Sequence, residues 1–450
     1  MILFIHCKRS ICSISILILI IFIIVNSPLV YAENATRTSS SGKIHQENRF
    51  ILVPFSNPLH GYDANTITWF SATQLLNTGA DFLADKTNLK KSVCGRVSHL
   101  ILILYLSHAA SYYSHEVAHQ INNKRKNQHF WLDLSDWSQL VPKFVFNNWK
   151  DKYDVDNYLE LRRVLANPEV KKFHILKNEA GFYQNLFNSR LINYFSEIYG
   201  NTSIEGAVFY IYNHIMPFVY HLRWGLDPVI ISRFAETFVR IHGNDVTGYI
   251  YYMNKSGIHI SRDDWLYFSG LAFFLSGHTI NAVRSLYNYL AEGDESTRNV
   301  RIPIGSRTSL SMPNFYLYPS ILGLYLETEF CLSDILKAGN RLFITLGTGL
   351  DSFGARRTGP VDNLRVGGEY YCINIRIAKL AMALSPWGYL HFTQGNEHLG
   401  HSIGVNMLTE LTGPFRLFTR LEHSREDMIE QVIKNKEEGF NMMWAMEVSW

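Results

Sequence analysis

The sequence predicts an α+β fold, with a mainly helical N-terminal domain followed by an antiparallel all-β, barrel-like C-terminal domain. Up to about residue 293, apolar residues recur at the three- and four-residue spacing of amphipathic helices. From about residue 313, apolar and polar residues alternate, and Gly, Pro and Asn interrupt the alternation. The pattern changes at residues 292–295, so we expect the helical domain over 50–300 and the β domain over 301–450.

The first 32 residues have the pattern of a secretory signal peptide. Lys8 and Arg9 precede an apolar run over 14–25, and Ala32 offers the small residue that signal peptidase requires. The run is shorter than the ~20 residues of a membrane-spanning helix, so we expect cleavage, with an uncleaved anchor as the alternative. Residues 33–49 are rich in Ser, Thr and Asn and are typical of a flexible leader.

Helical periodicity extends over six segments of the N-terminal domain. These are residues 69–83, 97–122, 156–165, 178–199, 228–241 and 263–290. Two stretches, 206–222 and 265–283, contain no Asp, Glu, Lys or Arg and are nearly long enough to span a bilayer. They support an alternative in which the chain is a polytopic inner-membrane protein, although the His and Asn in them are costly in lipid unless paired.

Period-two alternation extends over seven segments of the C-terminal domain. These are residues 316–332, 341–353, 364–377, 380–393, 401–411, 414–423 and 440–450. Residues 427–438 break the pattern and predict a short amphipathic helix or an exposed loop. In the last segment the even positions form one apolar face, which carries Phe440, Met442, Trp444, Met446, Val448 and Trp450.

A final strand that alternates in this way and ends on an aromatic residue resembles the C-terminal strand of outer-membrane β-barrels. The resemblance implies that the β domain forms a small barrel in the outer membrane of a Gram-negative type of cell, with lipid-facing and lumen-facing positions alternating. A soluble β-sandwich or half-barrel is the alternative that the same alternation permits.

Composition excludes several classes of function. A net charge of +3 in 450 residues gives no basic surface for nucleic acid, and no phosphate-binding glycine loop or Gly-x-Ser-x-Gly elbow is present, so nucleotide chemistry and serine hydrolysis lack support. After removal of the signal peptide only Cys94, Cys331 and Cys372 remain, which leaves one candidate disulfide between Cys331 and Cys372.

The most specific motif is His115-Glu116-Val117-Ala118-His119. On a helix, residues four apart share a face, so both imidazoles can reach one zinc ion, and Glu116 lies beside it as a general base for a bound water. A second set of potential ligands, His391, Glu397, His398 and His401, surrounds a glycine in the strand region. We interpret that set as a polar loop.

The motif and the apolar helix that precedes it resemble the zincin-type metallopeptidases, in particular the kind with a glutamate as third zinc ligand. The resemblance implies zinc, a peptide or protein substrate, and a third ligand on a later helix. Glu179 opens an amphipathic helix and lies closer to the family's usual spacing, whereas Glu236 lies in a segment that is apolar on both sides. Both remain candidates, with Glu179 slightly favoured.

Together these patterns predict an exported zinc metallopeptidase of the cell envelope. The β domain would lie in the outer membrane, the helical domain would lie in the periplasm, and the substrates would be envelope proteins. Periplasmic or inner-membrane placement is the alternative for location. The alternative function is a non-catalytic outer-membrane protein whose helical domain binds a partner.

Overall fold

The computed structural model describes most of the chain between residues 49 and 449. The described ranges are 49–52, 62–124, 131–133, 143–145, 168–224, 245–255, 258–320, 323–350, 363–377, 380–393, 400–411, 415–425 and 439–449. Helices predicted over 156–165 and 228–241, and the helix or loop predicted over 427–438, lie outside these ranges.

Seven helices lie in the described part, nearly all of them before residue 293. They are α1 (Tyr62–Lys86), α2 (Val93–Lys124), α3 (Pro168–Tyr199), α4 (Ile204–Trp224), α5 (Asp245–Lys255), α6 (Arg262–Leu275) and α7 (Gly277–Glu292). A 3-10 turn at Leu89–Lys91 joins α1 to α2.

Fifteen strands lie in the described part. The short ones are β1 (Arg49–Leu52), β2 (Trp131–Asp133), β3 (Lys143–Val145), β4 (Asn201–Ser203), β5 (Ser296–Arg298), β6 (Arg301–Pro303), β7 (Ser309–Ser311) and β8 (Asn314–Ser320). The long ones are β9 (Gly323–Ser333), β10 (Arg341–Leu350), β11 (Asn363–Ile377), β12 (Leu380–Thr393), β13 (Gly400–Glu410), β14 (Phe415–Arg425) and β15 (Gly439–Ser449).

The helix predicted over 263–290 is two helices that meet at Ser276. Asp264 and Ser261 form a capping box that starts α6, but the backbone of Ser276 is extended, with ψ 128°. The Gly277 N–H bonds to the Pro313 carbonyl at 2.8 Å, and a Cβ on Gly277 would lie 2.4 Å from the Met312 side chain. The close contact of Gly277 with the residues that precede β8 therefore separates α6 from α7.

The helices pack around α3, which is 32 residues long. One buried cluster joins α1, α2, α3, α4 and α7 through Phe70, Ala110, Ile192, Phe209 and Ala282. A second cluster joins α3, α5 and α6 to β8 and β9. Because α3 contributes to both clusters, it is the element that links the helices to the sheet.

Eleven of the strands form one antiparallel sheet in the order β1-β15-β14-β13-β12-β11-β10-β9-β7-β6, with β8 also paired to β9. The prediction of an α+β chain with an antiparallel C-terminal sheet is confirmed. The predicted closure into a barrel is wrong for the described strands, because the sheet ends at β1 on one side and β6 on the other. These end strands have only four and three residues, and no pairing joins them within the described ranges.

The two faces of this sheet have opposite character. The face that we call the inner face carries buried polar groups: Glu327, Glu329, Thr345, Arg365, Ser385, His391, Ser402, Glu422 and Ser424. The outer face carries exposed apolar groups, from Val366 at 38% to Phe440 at 88% exposed. The others are Leu346, Leu390, Phe392, Ile403, Phe415, Leu421, Met442 and Trp444. A soluble sheet has the reverse arrangement, with its apolar face buried.

The C-terminal half of α3 lies against the inner face. Arg190 of α3 forms ion pairs with Glu327 at 2.8 Å and Glu329 at 2.9 Å, and Arg365 of β11 pairs with the other oxygen of Glu327 at 2.9 Å. Tyr194 stacks on the ring of Phe343, with centroids 4.7 Å apart. Arg190, Asn193 and Tyr194 of α3 thus supply partners for Glu327, Glu329 and Glu369 on the inner face.

The segment predicted as one strand over 316–332 is a hairpin. Ser320 of β8 pairs with Gly323 of β9, and Gly323 has φ 119°, which only glycine adopts readily. Cys331 of β9 is buried and carries a free thiol, so it does not form the disulfide that was considered with Cys372.

Candidate metal centre

His115 and His119 lie on the same face of α2, as the motif spacing predicts. Their ring centroids are 4.9 Å apart and the rings are nearly perpendicular, at 72°. Both side chains are buried, at 8% and 9% exposed. Two imidazoles at this separation can bind one ion from adjacent turns of a helix.

The tautomer of His115 is set by a chain of amides. His115 Nδ1 lies 2.8 Å from Asn185 Oδ1 on α3. Asn185 Nδ2 donates to Asn213 Oδ1 at 2.9 Å, and Asn213 Nδ2 donates to Ser111 Oγ and to the Phe209 carbonyl. Because these bonds orient Asn185 with its oxygen toward His115, Nδ1 carries the proton, and a metal would bind this ring through Nε2.

The amide chain continues into a buried network between α1, α2, α3 and α4. Asn188 donates to Ser114 Oγ at 2.8 Å and to Asn213 Oδ1 at 3.0 Å. Gln184 donates to Asn188 at 3.0 Å and accepts from Asn65 of α1 at 2.7 Å. A buried network of this kind holds its members in one arrangement because each lost bond would leave an unsatisfied buried dipole.

Sequence reasoning missed this network. Its signal is the run Gln184, Asn185 and Asn188 among the apolar residues of α3, together with Asn213 in the apolar segment 206–222. Buried amides in such positions need partners, so their presence on two apolar helices could have indicated that the helices pair.

Gly181 brings α3 into contact with the His115 ring. A Cβ on Gly181 would lie 2.2 Å from both Cε1 and Nε2 of His115. The face of the His115 ring therefore fills the space where a larger residue on α3 would put its side chain. Phe182 supports the ring from the side, with its centroid 5.7 Å away at 90°.

The same part of α3 carries Glu179, two residues before Gly181. The structure places the Glu179 backbone in the helix that contacts His115, while the Glu179 and Glu116 side chains are outside the described atoms. Glu236 lies in an undescribed range. Among the described side chains, no group of three His, Cys, Asp or Glu residues lies close enough to hold a metal, so the two histidines are the described part of the predicted site.

The residues present fit a zinc ion in two respects. Neutral imidazole with a hydrogen-bonded Nδ1 is a form of histidine that binds zinc through Nε2. The face of the His115 ring also packs against α3, the helix that carries one of the two candidate third ligands.

In the second set of potential ligands, the two described histidines do not come together. His391 of β12 lies on the inner face and is 1% exposed, whereas His401 of β13 pairs opposite the exposed Leu390 and stacks on His423. The two histidines lie on opposite faces of the sheet, which agrees with the interpretation that they form no metal site. Glu397 and His398 lie outside the described ranges.

Two further histidines are buried in the helical part. His214 of α4 and His278 of α7 both pack against Tyr210, at 4.9 and 4.3 Å between centroids. Burial lowers the pKa of each imidazole to about 3, so both are neutral at physiological pH.

Comparison with models of protein families, with curated proteins and with solved structures finds no match to this chain. In the described part of the chain, one helical stretch, Val93–His119 of α2, is long and apolar enough to cross a membrane by length and composition, and 33% of it is buried within the protein.

Proposed function

We propose that the protein is a zinc-dependent peptidase of the cell envelope. The observation that carries the proposal is the arrangement of His115 and His119. Their buried imidazoles lie 4.9 Å apart, and the Asn185 amide orients the first of them for ligation through Nε2. No serine, cysteine or nucleotide motif offers a competing chemistry in the sequence.

Three residues of the motif, His115, Glu116 and His119, each have a defined role in this proposal. His115 and His119 hold the ion, and Glu179 or Glu236 completes the protein ligands. A zinc ion held there would lower the pKa of a bound water to about 7 and would polarise a carbonyl oxygen. Glu116 accepts the water proton and delivers it to the leaving amine, as a general base and then a general acid. Asn185 keeps the His115 ring in place while charge develops.

The proposed location is the outer membrane, with the outer face of the sheet against lipid. The support is the row of exposed apolar side chains on β10 to β15 above a polar inner face, which is the polarity of membrane β-proteins. The strands have 10 to 15 residues, and about 9–11 residues suffice to cross the hydrocarbon layer. The secretory pattern of the first 32 residues agrees with export.

Metal content tests the proposal directly. The mature protein, purified without chelators, should contain one zinc per chain, and His115→Ala should contain almost none because the remaining ligands bind zinc far more weakly. His401→Ala is the matched control, since it removes a histidine on the outer side of the sheet and should retain zinc. A folded wild-type protein that binds no zinc on titration would reject the peptidase and favour a partner-binding membrane protein.

A further inference from the structure

A cavity lies between the C-terminal half of α3 and the inner face of the sheet. Its volume is about 210 Å³, and every strand from β9 to β15 contributes to its wall. It is distinct from the zinc site, because Phe187, the lining residue of α3 closest to Gly181, lies six residues beyond it, or roughly 9 Å along a helix. Its ligand therefore does not depend on the proposed peptidase activity.

One part of the cavity wall is apolar and largely aromatic. It is formed by Leu191, Phe195 and Ile198 of α3, facing Phe343, Leu408 and Phe418 of the sheet. Apolar walls with a few placed polar groups are the usual character of small-molecule sites. The body of a ligand in this part would be apolar.

The polar part of the wall contains a carboxyl group that forms no ion pair with a described residue. Glu369 of β11 accepts hydrogen bonds at Oε1 from Tyr194 Oη at 2.5 Å and from Asn406 Nδ2 at 3.2 Å. Neither bond uses Oε2. Among the described residues, no basic side chain lies within ion-pair distance of Glu369, which distinguishes it from the other inner-face carboxylates.

The nearby arginines are already engaged with other acids. Arg190 is paired with Glu327 and Glu329, and Arg420 is paired with Glu422 at 2.6 Å. Among the described side chains of this cluster, these residues and Arg365 give three arginines against four carboxyl groups, Glu369 included. Glu369 is thus the described member without an ion pair, although Arg420 lies close enough to act on its charge, and a partly buried carboxylate gains from a direct cationic partner.

Aromatic and amide groups complete the site. Trp387 of β12 lines the cavity, is 7% exposed, and has no hydrogen-bond partner for its Nε1–H within the described residues. Asn406 Oδ1 is likewise without a partner there. Tyr371 also lines the cavity, and aromatic faces attract organic cations. The rings of Tyr389 and Trp387 are already covered by Arg365 and Arg420.

We propose that this cavity binds an organic cation with an apolar body, of the arylalkylamine class. The ammonium group would pair with Glu369 Oε2 and donate to Asn406 Oδ1, and the aromatic body would lie against the apolar wall. A cation supplies the charge that the cluster lacks and the donors that these acceptors need. The cavity volume suits a molecule of about ten non-hydrogen atoms.

Calorimetric titration of the full-length mature protein in non-ionic detergent tests the proposal, with 2-phenylethylamine as the probe. Two molecules of similar size, 2-phenylethanol and 3-phenylpropionate, serve as neutral and anionic comparisons. The amine should bind roughly 10- to 100-fold more tightly than the alcohol, which is the usual contribution of a charged hydrogen bond. The carboxylate should bind most weakly.

Two variants locate the binding. Glu369→Gln should reduce amine affinity to the level of the alcohol, while Glu410→Gln, an exposed carboxyl at the end of β13, should leave it unchanged. Because Glu369→Gln could unfold the protein, Ala383→Phe provides an independent test: it fills the cavity without changing charge and should abolish binding of both the amine and the alcohol. Equal affinities for amine and alcohol, no binding of the amine at millimolar concentration, or full binding by the Ala383→Phe variant would each overturn the proposal.

Discussion

Asn185 determines how His115 can act, because its oxygen lies 2.8 Å from Nδ1 and its NH₂ group is fixed on Asn213. We predict that Asn185→Ala lowers zinc affinity about 10- to 100-fold, which is the usual effect of removing such a partner of a ligand histidine. Asn185→Asp retains an acceptor for Nδ1–H and should recover most of the affinity. Zinc titration against a competing chelator measures the change.

The control for this prediction is Asn188→Ala. Asn188 belongs to the same network but bonds to Ser114 and Asn213, not to His115, so its removal should lower thermal stability and leave zinc affinity nearly unchanged. If both alanine variants bind zinc as the wild type does, the network has no part in the metal site.

Gly181 gives a second prediction at the residue scale. Alanine normally favours a helix over glycine by about 1 kcal/mol, yet here its Cβ would lie 2.2 Å from the His115 ring. Gly181→Ala should therefore displace the ring and reduce zinc binding. Gly79→Ala, in α1 with open space around the new Cβ, should raise the melting temperature slightly. Equal metal content in the two variants would contradict the close contact.

At the residue scale, the sequence predicts the candidate zinc ligands but not the contacts that surround them. The spacing of His115 and His119 alone predicts a shared helix face, because helical geometry is local. The Asn185 contact joins residues 70 positions apart, and only the packing of α3 on α2 brings it about. Gly181 shows that α3 packs against the His115 ring, while Glu236 lies outside the described residues, so both glutamates remain candidates.

Among the elements, the strands were predicted more closely than the helices. Strands such as β12 and β14 recur within a few residues of the predicted ranges because period-two alternation marks each of them. The helix α4 was predicted only as the stretch without charged residues over 206–222. The break at Ser276 was also missed, although the Ser276-Gly277 pair is a local breaker, and the chain that precedes β8 packs against it.

The folding stability of the protein should depend on pH through Glu205, at the start of α4. Burial and the negative charge of Asp81 raise the pKa of Glu205 to about 8, above the ordinary glutamate value of 4.5. The folded state therefore holds this proton more tightly than the unfolded state between pH 4.5 and 8. The stabilisation is full below pH 4.5 and is lost as pH rises through 8.

Glu205→Gln removes this titration while keeping the shape of the side chain. The melting temperature of the variant should exceed that of the wild type by at least ~2 °C at pH 9, and the difference should shrink at pH 5. Melting curves at the two pH values measure it, with Glu292→Gln as an exposed control. A constant difference between variant and wild type across this range would contradict the assignment.

On the scale of the whole molecule, the sheet has the opposite polarity to a sheet in a soluble protein, because its apolar face is exposed and its polar face is covered. Alternation in the sequence predicted one apolar and one polar face, but it could not tell which face the helices cover. The structure answers this through α3, whose Arg190 and Tyr194 meet the polar face. Because an unpaired strand edge is costly in hydrocarbon, we propose lipid contact for the outer face of β10 to β15 and not for the edges at β1 and β6.

The outer face provides the prediction on location. Leu390→Lys, Ile403→Lys and Leu421→Lys, combined, place three charges on adjacent strands of the outer face. Each should cost up to ~2–4 kcal/mol in the hydrocarbon layer, so the triple variant should be lost from the outer-membrane fraction. Leu336→Lys, on the turn between β9 and β10 where the side chain is 93% exposed, should fractionate as the wild type. Wild-type amounts of the triple variant in the membrane would exclude lipid contact.

The central claim, a zinc peptidase with Glu116 as its base, is tested most directly by measuring zinc and hydrolysis together in Glu116→Gln. The substitution keeps the volume of the side chain and both histidine ligands, so zinc should remain near one per chain. Cleavage of a fluorogenic peptide mixture that the wild type hydrolyses should fall by ~10²–10⁴, the usual contribution of a general base. Unchanged hydrolysis in a zinc-loaded Glu116→Gln protein would contradict the account.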